Sequence, residues 1–133
     1  MYSAYLDSQI LQWGNVQNLG TNDWHGVPAD WSKSSFMPEF LSNFTDTYHA
    51  LVRKIVRVYG ASVHVFVAVG PMTMGYLLPA QWVVGNASAQ GLHVHLLNQS
   101  GFSHGDCGHP SWESDAAMGA ATATAIGSAL GWQ

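Results

Sequence analysis

The most constraining feature of the sequence is a short apolar run at residues 62–69, Ser-Val-His-Val-Phe-Val-Ala-Val, which Gly70-Pro71 ends. The run is rich in β-branched residues and is apolar on both of its alternating faces. A strand of this kind is typical of a parallel sheet that is covered by helices on both sides. The run therefore predicts a domain of the α/β class.

Two helices and a second strand are predicted around this run. Apolar residues recur at spacings of three and four over residues 38–59, which predicts a helix with one apolar stripe: Phe40, Phe44, Tyr48, Leu51, Ile55 and Tyr59. Aliphatic residues alternate with histidines over residues 92–96, which predicts a shorter strand. A last helix is predicted to begin after Ser111, with an inward stripe of Met118, Thr122, Ala125, Ile126 and Leu130.

The length of 133 residues suits a single domain, and the sequence contains neither repeats nor a linker-like stretch. Residues 1–18 are predicted to be an irregular lead-in, because Gly14, Asn15 and Asn18 would interrupt a strand. Residues 24–35, rich in Gly, Pro, Ser and Trp, are predicted to be a surface loop, and Trp82 also lies in a loop-like segment.

Composition argues against nucleic acid and membrane as partners. Four Lys/Arg against eight Asp/Glu give a net charge of -4, whereas a nucleic-acid binder needs a basic surface. No apolar run reaches the roughly 18–20 residues that cross a bilayer, and residues 1–10 do not form a signal peptide. The single Cys107 excludes an internal disulfide framework. Sequons at Asn43, Asn86 and Asn98 favour a secreted, glycosylated origin for the full-length protein.

Two short segments carry residues suited to acyl-transfer chemistry. In Gly-Thr-Asn-Asp at residues 20–23, Gly20 allows a tight turn and the Asn22 amide can donate hydrogen bonds to an oxyanion. In Asp-Cys-Gly-His at residues 106–109, the Asp106 carboxylate can orient the His109 imidazole, which leaves its other nitrogen free as a general base. Taken alone, each segment is also typical of an ordinary turn in which Asn22 or Asp23, or Asp106, binds loop amides.

Together, the two segments resemble the SGNH (GDSL-type) hydrolases, and the likeness covers about residues 19–132. The resemblance implies a three-layer α/β/α fold with a short parallel sheet. It also implies that Asn22 donates a hydrogen bond in the oxyanion hole, in a loop with Gly20 and Asp23. By the same resemblance, His109 is the general base and Asp106 is the acidic residue that orients it. Trp24, the strand end Val-Gly-Pro-Met at residues 69–72 and the Gly-Cys turn resemble the carbohydrate esterase branch.

The resemblance implies hydrolysis of an ester, in particular of an O-acetylated carbohydrate, with no metal or organic cofactor. Trp24 and Trp82 are expected to contact the sugar rings. In the family, the nucleophilic serine belongs to a Gly-Asp-Ser block well upstream of the Gly-x-Asn-Asp block. Here Leu-Asp-Ser-Gln at residues 6–9 is a superficial match, and Ser8 precedes Asn22 by too few residues for the intervening helix and strand.

We therefore expect Ser8 not to be the nucleophile and the chain to represent the C-terminal portion of such a domain, N-terminally truncated and with little or no activity. A sheet that lacks its first strands exposes an unpaired edge. The chain is accordingly expected to be marginally stable and to self-associate through that edge.

Two other functions remain open at this stage. His93 and His95 would lie on the same side of a strand, and His104, Asp106, Cys107 and His109 could complete a metal site with them, as in a His-rich metal-binding protein. We favour the simpler interpretation that the pair lines the polar face of an edge strand. A non-catalytic carbohydrate-binding remnant, using exposed tryptophans, is the second alternative.

Overall fold

The computed structural model describes residues 15–17, 24, 37–72, 75–105 and 108–132. Strands and helices alternate along these ranges, which confirms the α/β class. The elements are β1 (Asn15–Gln17), α1 (Met37–Tyr59), β2 (Val65–Val69), α2 (Leu77–Ala89), β3 (Val94–Asn98) and α3 (Trp112–Leu130).

The three strands form one parallel sheet in the order β1-β2-β3, with β2 in the centre. All five residues of β2 are buried, as the apolar run predicted for a central parallel strand. The sequence prediction of an irregular lead-in is wrong for residues 15–17, because Asn15 pairs with Val65 and Gln17 with Val67. Backbone hydrogen bonds to β2 thus impose a strand on a segment whose own residues do not favour one.

One face of the sheet is covered by α1 and α2. Val65, Val67 and Val69 of β2 point to this face and form the main core with residues of both helices. Five of the six residues of the predicted apolar stripe of α1 belong to this core: Tyr48 and Ile55 are buried, and Phe40, Phe44 and Leu51 pack against them. The prediction is wrong for the sixth, Tyr59, because it is 39% exposed at the end of the helix. The helix ends at Tyr59, where Gly60 adopts a φ of +94° that an L-residue rarely takes.

The opposite face is covered by α3. Phe66, Ala68 and Leu97 form a second, smaller cluster against Ala125, Ile126 and Ala129 of this helix. Ala125 and Ile126 belong to the predicted inward stripe, whereas Ala129 was not predicted. The predicted start of α3 is also confirmed, because the Ser111 hydroxyl caps the helix by accepting a hydrogen bond from the Ser114 amide. Helices therefore lie on both faces of the parallel sheet.

Helix α2 was not predicted from the sequence, and the loop assignment of Trp82 is wrong. Pro79 does not prevent this helix, because it occupies the first turn, where amide groups have no partner within the helix. Pro79, Ala80, Val83 and Ala87 are buried. Trp82 lies on the outer side of α2, with 46% of its surface exposed.

Neither α1, α2 nor α3 is long and apolar enough to cross a membrane. The asparagines of the three sequons, Asn43, Asn86 and Asn98, are all exposed. Asn43 lies within α1 and Asn86 within α2, where the Asn86 side-chain oxygen accepts a hydrogen bond from Gln90. Secretion and glycosylation stay predictions.

Candidate functional site

The candidate site lies at the carboxyl end of the sheet, where β2 and β3 stop side by side. The Gln99 amide donates to the Val69 carbonyl at 2.8 Å, which extends the pairing one residue beyond β3. Gly70 follows with a φ of +95°, and a Cβ atom added there would lie 2.9 Å from the Ser100 nitrogen. The loops after β2 and β3 are therefore in direct backbone contact, at the end of the sheet where parallel α/β proteins bind ligands.

The loop that carries His109 is tied to this end of the sheet by His104. The Nε2 atom of His104 is hydrogen-bonded to the Pro71 carbonyl oxygen, just after β2. Because a carbonyl oxygen can only accept, Nε2 carries the hydrogen. His104 also forms an isolated antiparallel bridge with Pro110, and the Gly105 amide donates to the His109 carbonyl. The backbone of His109 is thus fixed at the carboxyl end.

The His109 side chain is exposed. Among the residues that the structure describes, none forms a hydrogen bond with its imidazole. Asp106, the predicted orienting carboxylate, lies outside the described residues, as does Cys107. The predicted Asp106–His109 pair consequently stays a prediction, while the backbone contacts of His109 and Pro110 with Gly105 and His104 are described.

The start of α3 is attached to the same loop. The hydroxyl groups of Ser103 and Ser114 lie 2.8 Å apart, and the Gln99 side-chain amide donates to the Thr122 hydroxyl at 2.9 Å. These bonds hold the amino-terminal half of α3 against the segment that follows β3. His109 is therefore positioned between two anchored elements.

The other predicted motif follows β1, which ends at Gln17 at the same end of the sheet. Gly20, Asn22 and Asp23 lie outside the described residues, and so does Ser8. Neighbouring strands are about 4.8 Å apart, so Gln17 of β1 and Leu96 of β3, which both pair with Val67 of β2, are separated by about 10 Å. Both motif-bearing segments therefore leave the sheet at one end and from nearby strands.

Trp24 has a different environment from the one expected for a sugar-binding surface. It is only 1% exposed and packs edge-on against Phe40 at 5.1 Å and Phe44 at 5.5 Å between ring centroids. Its indole belongs to the core that joins the segment after β1 to the first turns of α1. A ring enclosed in this way has no free face for a sugar, whereas Trp82 keeps an exposed one.

A cluster of three histidines lies at the amino end of the sheet; the sequence predicts that His93 and His95 share one side of a strand but does not indicate that His64 joins them. His64, which precedes β2, stacks on His93 with 4.7 Å between ring centroids and lies 5.1 Å from the ring of His95. The His64 Nδ1 and His95 Nε2 atoms are 3.0 Å apart and hydrogen-bonded. We refer to these three residues as the histidine cluster. His95 also stacks on Phe66 at 4.7 Å.

The predicted completion of a metal site by His104 and His109 is wrong, because these two residues lie at the carboxyl end, away from His93 and His95. Nor do the described residues include three His, Cys, Asp or Glu side chains placed to hold a metal ion. In the histidine cluster the rings are nearly parallel, at 8° and 13°. The nitrogen lone pairs lie in the ring planes, so those of the stacked His64 and His93 do not converge on one point, and the facing nitrogens of His64 and His95 are engaged in their mutual hydrogen bond.

We compared the chain with models of protein families, with curated proteins and with solved structures, and none of them matches it.

Proposed function

We propose that this domain is an ester hydrolase of the SGNH type that acts on O-acetylated carbohydrates. The observation that carries the proposal is topological. In the sequence, the Gly-Thr-Asn-Asp segment follows β1 and the Asp-x-x-His segment follows β3; these parallel strands lie on either side of β2, about 10 Å apart, and end at the same end of the sheet. This is the end at which α/β enzymes assemble sites from residues that are distant in sequence.

The proposed mechanism assigns one role to each motif residue. A serine attacks the acyl carbonyl, and His109 removes the serine proton and later returns it to the leaving alcohol. Asp106 orients His109 and stabilises its protonated form. Asn22 donates a hydrogen bond to the tetrahedral oxyanion, an interaction worth about 3–4 kcal/mol in comparable sites. The chain contains no Gly-Asp-Ser block, so the nucleophile is left unassigned and Ser8 is tested as a candidate.

The preference for a carbohydrate ester derives from the motif resemblance and from Trp82. Its indole is 46% exposed on the outer surface of α2, and exposed indoles commonly stack on apolar faces of ligands. Binding of an acetylated oligosaccharide without turnover would instead favour the non-catalytic alternative.

The proposal is tested by hydrolysis of 4-nitrophenyl acetate by the chain and by three variants. We expect weak turnover that falls by about 10²-fold in His109→Ala, the lower range for loss of a general base. His93→Ala is the matched control, since it removes an exposed histidine from the other end of the sheet. Ser8→Ala should leave the rate unchanged, and loss of activity there would identify Ser8 as the nucleophile. Equal rates for the unmodified chain and His109→Ala would contradict the proposal.

A further inference from the structure

The histidine cluster is a direct consequence of the register between β2 and β3. Val65 pairs with Val94 and Phe66 with His95, so His64 lies opposite His93, one residue earlier on each strand. Alternate residues of a strand face the same side. His64, His93 and His95 therefore share the face that α3 covers, at the amino end of the sheet.

The chemistry of the cluster depends on its number of protons. In the neutral His64–His95 pair, one ring nitrogen donates a hydrogen and the other accepts it across 3.0 Å. One added proton leaves this bond possible, because the neutral ring still offers a lone pair. A second proton places hydrogens on both facing nitrogens, so the bond is lost and two cations adjoin each other and His93.

No described acidic group is positioned to compensate for such charges. The same face continues with Phe66 and Leu97, and α3 covers these residues with Ala125, Ile126 and Ala129. The acidic residues of α3, Glu113 and Asp115, are in its first turn, at the carboxyl end of the sheet. The sequences of β1 and α2 contain no titratable residue, and the basic residues of α1, Arg53, Lys54 and Arg57, belong to a helix on the other face.

We propose that the histidine cluster is an acid-sensitive contact that holds the amino ends of β2 and β3 together near neutral pH and releases them when it takes up protons. Stacking and hydrogen bonding of neutral rings join the strands, and repulsion between charged rings separates them. The carboxyl end of the sheet, with the candidate active site, is expected to stay paired under the same conditions.

The electrostatic setting supports this proposal. Burial lowers the pKa of His64, and His93 lowers it further. Burial likewise lowers the pKa of His95, with additional effects from His64 and His93. Both rings are therefore kept neutral at a pH where a free histidine begins to protonate, so acid is needed to charge them.

Two backbone amides report on the two ends of the sheet in one molecule. The Val65 amide donates to the His93 carbonyl at the amino end, and the Gln99 amide donates to the Val69 carbonyl at the carboxyl end, each at 2.8 Å. We would measure their hydrogen-exchange protection factors by NMR on the full chain, with a chelator present, at about pH 7.5 and about pH 5. Protection of Val65 is expected to fall at least about tenfold, the effect of one pKa unit of proton linkage, while that of Gln99 changes little.

Two variants separate the cluster from general acid sensitivity. His64→Phe keeps an aromatic ring against His93 but cannot take up a proton, so its Val65 protection should not change between the two pH values. His49→Gln is the control, because it removes a buried histidine of α1 outside the cluster, and it should retain the fall. Persistence of the fall in His64→Phe, or an equal fall for Val65 and Gln99 in the unmodified chain, would overturn the proposal. The comparison of Val65 with Gln99 needs no variant, so it tests the proposal even if His64→Phe does not fold.

Discussion

Replacement of Gly70 by alanine tests the close contact on which the candidate site is built. Gly70 has a φ of +95°, and an added Cβ would lie 2.9 Å from the Ser100 nitrogen and 3.0 Å from the Ser100 Cα. These atoms belong to backbone, so they cannot move aside as the end of a flexible side chain would. Gly70→Ala should therefore combine conformational strain with a steric clash.

The two contributions can be estimated separately. An L-residue in the left-handed region costs about 1–2 kcal/mol, and overpacking in a well-packed region costs about 1–3 kcal/mol. The expected loss of unfolding free energy for Gly70→Ala is their sum, about 2–5 kcal/mol. Urea unfolding followed by circular dichroism measures this loss as a shift of the midpoint at constant slope.

Gly60 provides a matched control, because its φ of +94° is nearly the same but no atom lies within 4 Å of an added Cβ. Gly60→Ala should lose only the strain, about 1–2 kcal/mol. The difference between the two variants then measures the contact between Gly70 and Ser100. Equal losses in Gly70→Ala and Gly60→Ala would refute the argument that the loops after β2 and β3 are in backbone contact.

Three further predictions concern the rest of the fold. Ser111→Ala removes the cap of α3 and should lower stability by about 1 kcal/mol in urea unfolding. Phe66→Ala should cost about 3–5 kcal/mol in the same assay because the ring is buried beneath α3, whereas Trp112→Ala, 77% exposed, should change stability by less than about 0.5 kcal/mol. Burial, and secondarily Arg53, lowers the pKa of His49. The stability that neutral His49 contributes is therefore present above about pH 6.5 and is lost as the pH falls through the lowered pKa. His49→Gln removes this titrating group, so its urea midpoint should fall less than that of the unmodified chain between about pH 7.5 and about pH 5.

The elements with a clear hydrophobic pattern were predictable from the sequence. The stripe of α1 and the uniformly apolar β2 each have one structural interpretation, and the capping Ser111 marks the start of α3. In contrast, α2 carries apolar residues around much of its circumference together with Pro79 and Gly85. Such a segment shows no one-sided pattern, and only its packing against α1 and the sheet establishes it as a helix.

The candidate site was predictable in part for a similar reason. Segments that follow parallel strands of one sheet start at the same end of that sheet, so the end at which the chain leads to His109 follows from the order of strands and helices. The contact of His104 with Pro71 does not, because it joins residues 33 positions apart through a loop without a regular pattern. The burial of Trp24 depends in the same way on Phe40 and Phe44, which only the folded chain brings around it.

The histidine cluster shows why register is the decisive missing information. A shift of β3 by one residue against β2 would move His93 and His95 to the opposite face of the sheet and away from His64. The alternation of β3 defines its two faces, but β2 is apolar on both and accepts either arrangement. The observed pairing of Phe66 with His95 selects one of them. An acid-sensitive contact between the strands can therefore arise without any local motif, from histidines that are 31 positions apart in the His64–His95 pair.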